Sequence, residues 1–390
     1  MNRVCSIFSQ MLKLIPRTQF EGCVKQYKAE RHARGFSSWT QMIAMLFCQL
    51  GHAQSLREIT GGLAACEGKL RHLGVTEPPK RSTLSYANEH RPWQLYQGMF
   101  HQLLGRCQQE AAGLKRKFRF KHKLLSLDST IIPLCLAAFD WAHYKRTKGA
   151  VKLHMLLDHD GYLPSFAVMT EGKVADIKVA KQLSFAAGTM LVFDRGYNDY
   201  GWWLSLTRQK VHFVTRLKDS AEYGVVDSRD ILPGGKIIRD EVILLVAQQE
   251  IGPSAYLRRI EVWLEDKKES IVLLTNNLKL AASTIADIYR ERWQIEVFFK
   301  ALKQSLKIKT FVGTTENAVQ IQIWTALIAM LLLKYLQLKS SFAWSFSNLV
   351  ALIRQQLFVY RDLFTWLDDP FQAPPALQDI PDQQIALNFA

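Results

Sequence analysis

Tyr289, Arg292, Glu296 and Lys303 follow one another at intervals of three, four and seven residues. Those intervals set four side chains on one face of an α-helix. A carboxylate inside such a stripe can bind a metal ion. Cations one turn before it and two turns after it can hold a phosphate backbone beside that ion, so the combination reads as phosphodiester chemistry. Ile288, Ile295, Val297, Phe298, Phe299 and Leu302 predict the buried face of the same helix over 289–303. A stripe of Tyr, Arg, Glu and Lys is also what a solvated face with i,i+4 ion pairs looks like, so its meaning depends on what the chain places against it.

Two aspartates stand out as partners. Asp128 interrupts the apolar segment Leu124–Ile132, where a buried carboxylate is costly unless it meets a cation or another partner. Asp194 ends the run Met190–Phe193 and is followed by Arg195 and Gly196. Carboxylates at strand ends are where α/β folds tend to place reactive groups, although a helix N-cap would use the same residue. Lys152 and His154 share one face of a predicted strand, and a core or solvent role suits them as well as a substrate role. Asp158 and Asp160 flank His159 ahead of Gly161, a hairpin-turn sequence, and read as turn residues.

Positioning these groups requires a particular scaffold. Strands are predicted at 124–132, 150–158, 163–170, 189–194 and 211–216, with helices at 176–186 and 202–209. This β–β–β–α–β–α–β order, hairpins first and helical crossovers later, predicts an α/β fold: a ribonuclease-H-like mixed sheet that sets Asp128 and Asp194 on adjacent strands. The glutamate must then come from a helix lying across the sheet. Glu296 is available for this, beyond a β-rich insertion whose strands are expected at 237–246, 256–264 and 271–275. Apolar helices follow at 319–336 and 342–367, and the Pro-, Gln- and Asp-rich tail from Asp368 onward reads as irregular.

The expected organisation is a helical, basic, DNA-binding region over 1–110 and a basic linker over 111–123. The core comes in two parts, 124–216 and 284–340, around the insertion at 217–283, and a C-terminal helix and tail fill 341–390. In the first region Ser82 or Thr83 is a candidate cap for a helix bearing Tyr86, Asn88 and Arg91, suited to phosphates. A helical bundle with a basic solvated face fits the same spacing. The run Lys115–Lys123, broken by Phe118 and Phe120, reads either as nucleic-acid contact or as solvated linker.

The net charge of +15 points to a polyanionic partner. Residues 1–123 hold 20 Lys and Arg against 7 Asp and Glu, so nearly all the excess lies at that end. Six scattered cysteines without a C-x2-C pair disfavour a zinc ribbon or a disulfide scaffold. The longest apolar run, Ile323–Leu333, is too short to span a bilayer, and no signal-peptide pattern opens the chain. The expectation is a cytoplasmic protein with no membrane role.

The segments LLSLDST and LVFDRGY, the β-rich insertion and the Y-x2-R-x3-E-x6-K helix together resemble the IS4 family of DDE transposases of bacterial insertion sequences. The resemblance implies cut-and-paste DNA transposition, with Asp128, Asp194 and Glu296 as the catalytic, metal-binding triad. Tyr289, Arg292, Lys303, Arg216 and Arg195 would be DNA contacts. It implies two Mg²⁺ ions, with Mn²⁺ as a substitute, since hard oxygen ligands suit these ions. It also implies terminal inverted repeats and target DNA as partners, and a homodimer in the synaptic complex. A catalytically silent DNA-binding derivative, or a nuclease on the same fold, would share these features.

Overall fold

The computed structural model describes residues 5–371 apart from 32, 34, 67, 119, 121, 136, 146, 147, 232, 233, 247–254, 307 and 309. Arg119 and Lys121 of the basic run, and the tail beyond 371, lie outside the described residues.

A ten-stranded mixed sheet runs through the molecule. At its centre β1 (Leu124–Leu134) pairs antiparallel with β3 (Lys148–Asp158) and parallel with β5 (Met190–Phe193). Outside β3 lies β4 (Leu163–Glu171), and outside β5 lies β6 (His212–Arg216), parallel to it. The order β4-β3-β1-β5-β6, three antiparallel strands and then two parallel ones, is ribonuclease-H-like. The β3–β4 hairpin turns through Gly161, whose φ of +81° suits a residue without a Cβ.

Residues 217–283 carry β7 (Tyr223–Ser228), β8 (Ile237–Leu245), β9 (Leu257–Leu264) and β10 (Glu269–Thr275), and these strands continue the same sheet. The chain leaves at β6 and returns through β10, which pairs antiparallel with β6 at Leu273 opposite Arg216. The buried pair Arg258–Asp240, 2.5 Å apart, ties β9 to β8.

Side chains alternate along β1. Leu127 packs with Trp202 and Trp203 of the helix Tyr200–Arg208 on one face. Ile132 and Leu134 join the larger core on the other face. That core also takes in the N-terminal helices and the helix α11 (Glu316–Lys339). By length and composition α11 could cross a membrane, a helix longer than the apolar run suggested, yet 89% of its apolar window is buried inside the protein. It packs on α3 (Ser38–Leu50) and α6 (Gln94–Ala111), so the basic N-terminal helices share one core with the C-terminal ones. Ser6 bridges to Tyr360, and Gln10 Nε2 donates to the Arg361 carbonyl at 2.6 Å and to the Cys5 carbonyl at 2.8 Å.

Several expected elements differ in extent. The helix expected at 176–186 is the single turn α7 (Asp176–Ala180). The one expected at 342–367 is two, α12 (Phe346–Gln356) and α13 (Leu363–Asp368). The helix expected at 289–303 is broken at Arg292 into α9 (Ala282–Glu291) and α10 (Trp293–Ser305). Arg292 keeps right-handed helical angles, φ −49° and ψ −35°, so the two helices follow one another directly. Ile295, Phe298, Phe299 and Leu302 are buried as expected, whereas Val297 is 46% exposed because it lies on the side facing away from the sheet.

Candidate active site

Backbone pairing brings the first two carboxylates together. Leu127 pairs with Phe193 across parallel strands, so Asp128 and Asp194 follow as neighbours where β5 ends. Helix α10 then crosses β1 and delivers Glu296 on the same side.

Arg292 stands among these groups. Its Nη2 lies 2.7 Å from Glu296 Oε1 and its Nη1 3.7 Å from Asp128 Oδ2. Its guanidinium also sits 5.8 Å from the Tyr289 ring centroid, within cation–π range. The break between α9 and α10 thus leaves Tyr289, Arg292 and Glu296 on one side, although they do not belong to one uninterrupted helix.

Asp128 is the strained member. Burial pushes its carboxyl up to about 6, and the negative charges of Glu296 and Asp194 add to the rise. The Ser129 N–H, donating to Asp128 Oδ1 at 2.8 Å, and the Arg292 charge work against it. Burial likewise raises the Tyr289 phenol, which feels Asp194 and Arg216 as well as Arg292. Arg216 and Asp194 therefore belong to the same neighbourhood.

Asp128, Glu296 and Lys303 line one open groove of about 420 Å³. Lys303 Nζ donates to the Ile131 carbonyl at 2.9 Å across it, pinning α10 to β1. Asp194 and the exposed Arg195 border a second depression of about 550 Å³ with Lys218.

The donor set suits a divalent cation. Asp128 and Glu296 face one groove and Asp194 adjoins Asp128, and these are hard oxygen donors; Asp128 is raised first by burial, with the Glu296 and Asp194 charges adding to it. Among the described residues, however, no three such side chains close on one point as a finished metal cage. Arg292 is paired with two of them instead.

Other sequence expectations change in the structure. Three cations of the basic linker are paired internally: Lys117 Nζ is 2.6 Å from Glu291, Arg116 is 2.8 Å from Asp160, and Lys123 is 2.6 Å from Asp158. Asp160 lies in the turn as expected, whereas Asp158 is the last residue of β3; both anchor the linker. Glu291, held also by His159 and Tyr162, has its carboxyl depressed to about 2, first by His159 and then by Lys117, against the cost of burial. In the N-terminal region the helix α5 (Arg81–His90) begins one residue before Ser82, with Lys80 at its N-cap, so neither Ser82 nor Thr83 caps it. Asn88 and Arg91 are buried, bonded to Gln41, because α5 packs that face inward. Tyr86 stays 64% exposed. Arg57, Arg81, Ser82 and Ser85 line a groove of about 640 Å³.

Sequence reading missed a cluster on the opposite face of β1. Asp176, taken only as a helix start, accepts from Ser129 Oγ at 2.7 Å and lies 3.2 Å from Lys152 Nζ. The separation of 24 (176 − 152) to 47 residues between these partners leaves no local spacing to detect.

A ribonuclease-H-like sheet with Asp128 inside its central strand and Asp194 just past the neighbouring one is the arrangement that enzymes which cut and transfer nucleic-acid strands use. The sequence matches the family described as "Transposase DDE domain" over residues 119–332, and residues 4–76 match a "Domain of unknown function (DUF4372)". The chain is 32% identical to y4zB of Sinorhizobium fredii, named as a transposase, over 73% of this chain and 79% of that one. It is also 32% identical to a Geobacillus stearothermophilus protein named for transposition of the element IS5377, over 65% and 67% of the two chains. Transposase InsG of the Escherichia coli element IS4 is 22% identical over 48% of this chain and 44% of its own. The chain belongs to the DDE transposases of insertion sequences, of the IS4 type.

Proposed function

We propose that Asp128, Asp194 and Glu296 are the catalytic carboxylates of this transposase and hold its divalent cations, Mg²⁺ or in its place Mn²⁺. The observation that carries this reading is the Leu127–Phe193 pairing, which makes neighbours of two aspartates 66 residues apart in the chain, beneath the helix bearing Glu296. Two such ions, when bound, would activate the attacking water or 3′-hydroxyl and stabilise the leaving oxygen of an in-line displacement.

The chain's own side chains position the DNA. Arg292 presents a planar fork of N–H donors able to grip a phosphate through two oxygens. Its present partners, Glu296 and Asp128, place that fork beside the reacting centre. Tyr289 supports the fork from beneath, and Lys303, at the groove wall, is placed to meet the backbone further along. Arg216 and Arg195 flank Asp194 and would take the strand on its other side. The substrates are the terminal inverted repeats of the element, followed by target DNA. Residues 1–110 form the DNA-binding region in this reading, with the groove at Arg57 and Arg81 as its surface. A homodimer would bring one catalytic centre to each element end.

The test uses a labelled duplex carrying the element's terminal repeat, with Mg²⁺, Mn²⁺ or EDTA, for the wild type and Glu296→Gln. Metal-dependent nicking and joining to plasmid DNA, both lost in the variant, is the expected result. Cutting without joining would identify a nuclease. Specific binding with no metal-dependent chemistry would identify a silent DNA-binding protein.

A further inference from the structure

We propose that Asp176 is a positioning residue for the Asp128 carboxylate, acting through Ser129, and that Lys152 holds Asp176 in that role. The inference rests on the assignment of Asp128 as a metal-binding carboxylate.

Ser129 is the coupling element. It follows Asp128 in β1, so its side chain points to the opposite face of the sheet. Its backbone N–H donates to Asp128 Oδ1 at 2.8 Å, while its hydroxyl donates to Asp176 Oδ1 at 2.7 Å. Fixing the hydroxyl fixes the residue, and with it the direction of the N–H that orients the carboxylate.

Asp176 is itself held. Its Oδ1 lies 3.2 Å from Lys152 Nζ; His154 Nδ1, 3.5 Å away, makes no hydrogen bond among the described residues, and burial lowers its imidazole to about 4 and leaves it uncharged. These two side chains project from the same face of β3, where His154 is registered opposite Ser129. Lys152 Nζ also donates to the Val174 carbonyl at 2.8 Å, and His154 Nε2 meets Thr170 Oγ1 at 2.9 Å. Tyr197, three residues past Asp194, lies beside the cluster: its buried phenol is raised by burial and then by Asp128 and Asp176.

Energetics favour a role beyond packing. Pairing a largely buried lysine with a partly exposed aspartate commonly stabilises a fold no better than apolar residues of the same volume. What the cluster supplies is direction. The triad carboxylates repel one another, and a side chain free to rotate would swing apart from its neighbours. Lys152 neutralises Asp176, so the cluster adds no net negative charge behind the centre.

The test measures Mn²⁺ binding by electron paramagnetic resonance on the full-length protein bound to terminal-repeat DNA. Melting temperature and end affinity are measured alongside. Losing a partner that orients a metal ligand typically weakens metal binding about tenfold or more. Asp176→Ala is expected to show that loss with unchanged end affinity, and the Mg²⁺ needed for half-maximal nicking rises in parallel. Asp176→Asn, which retains an acceptor for Ser129, recovers part of it. Unchanged Mn²⁺ affinity in Asp176→Ala would overturn the proposal even if nicking fell, because a purely structural defect need not touch the metal. If that variant does not fold, Ser129→Ala decides by the same measure, since it removes only the hydroxyl. Full Mn²⁺ binding by Asp128→Asn would instead sink the assignment of Asp128.

Discussion

Arg292 and Glu296, one helical turn apart, are joined at 2.7 Å between Nη2 and Oε1, and the same guanidinium reaches towards Asp128 at 3.7 Å. A single cation thus stands where divalent ions would otherwise supply the positive charge. We infer that DNA entry and metal entry are coupled, because a scissile phosphate competes for the same fork of N–H donors. Arg292→Gln is expected to bind Mn²⁺ more tightly than the wild type without DNA, yet to lose roughly tenfold or more in end affinity, the scale of a charge-assisted pair. Calorimetry on the free protein checks the first part, and unchanged metal affinity there would remove the competition.

Replacing any one triad carboxylate by its amide removes a metal ligand with little change of shape. Asp128→Asn, Asp194→Asn and Glu296→Gln are each expected to lower nicking by at least about a thousandfold, the scale on which removing a catalytic electrostatic group acts. End binding, measured by gel shift, is expected to stay within a few-fold of wild type. A variant that still cuts is excluded from the metal site.

Asp128 also predicts a pH dependence. Its folded pKa of about 6 lies above the ordinary 3.8, so the folded state binds the extra proton between those values. Ionisation of Asp128 therefore opposes folding as pH rises from about 4 to above 6. Asp128→Asn, which removes that penalty, is expected to gain roughly 2 kcal/mol at pH 7.5, discounted for partial solvent contact, and almost nothing at pH 4. Denaturant melts at both pH values measure this. An equal effect at the two would contradict it.

Glu291 has the opposite sign. Its carboxyl, depressed to about 2, contributes stability that is complete above about 4.5 and is lost as pH falls through 2. Glu291→Gln is expected to cost roughly 1–3 kcal/mol at neutral pH, the range for hydrogen bonds to a charged group. Proteolysis within residues 115–123 is expected to speed up in the variant, since Lys117 loses its anchor. Unaltered cleavage of that segment would separate the linker from Glu291.

Steep salt dependence follows if the basic helices 1–110 grip the DNA backbone. Each phosphate neutralised contributes a slope of about −0.9 in log K against log salt. Arg57→Ala combined with Arg81→Ala is expected to reduce that slope by about two. A slope unchanged by the pair would place the DNA elsewhere.

How much of this was legible depended on whether an interaction was local. The strand carrying Asp128 and the one ending before Asp194 announced themselves through apolar runs interrupted by a charge. Glu296 and its flanking cations were visible because helical spacing is short. The interruption at Arg292 was not, because its backbone stays helical and no Pro or Gly marks it. Nor was the fate of the linker: Lys117 finds its acid 174 residues away, and only the folded chain shows its charge already neutralised. Asp176, Lys152 and His154 were individually ordinary, and their meeting depends on the β1–β3 register together with the single turn of α7.

The core shared between the first helices and the last ones has a consequence for the life of the mobile element. Where a DNA-binding module folds by itself, a copy whose reading frame is cut short can persist as a repressor of its intact siblings. Here the α3 and α6 helices bury their apolar faces on α11, and Ser6 pairs with Tyr360. A truncated copy ending before residue 316 would expose that surface and leave the cell as an aggregate or a protease substrate. Coexpressing residues 1–315 with the full chain tests this: a drop in transposition would show that the fragment folds after all. Otherwise decay of such an element is recessive, and truncated copies leave the intact ones unrepressed.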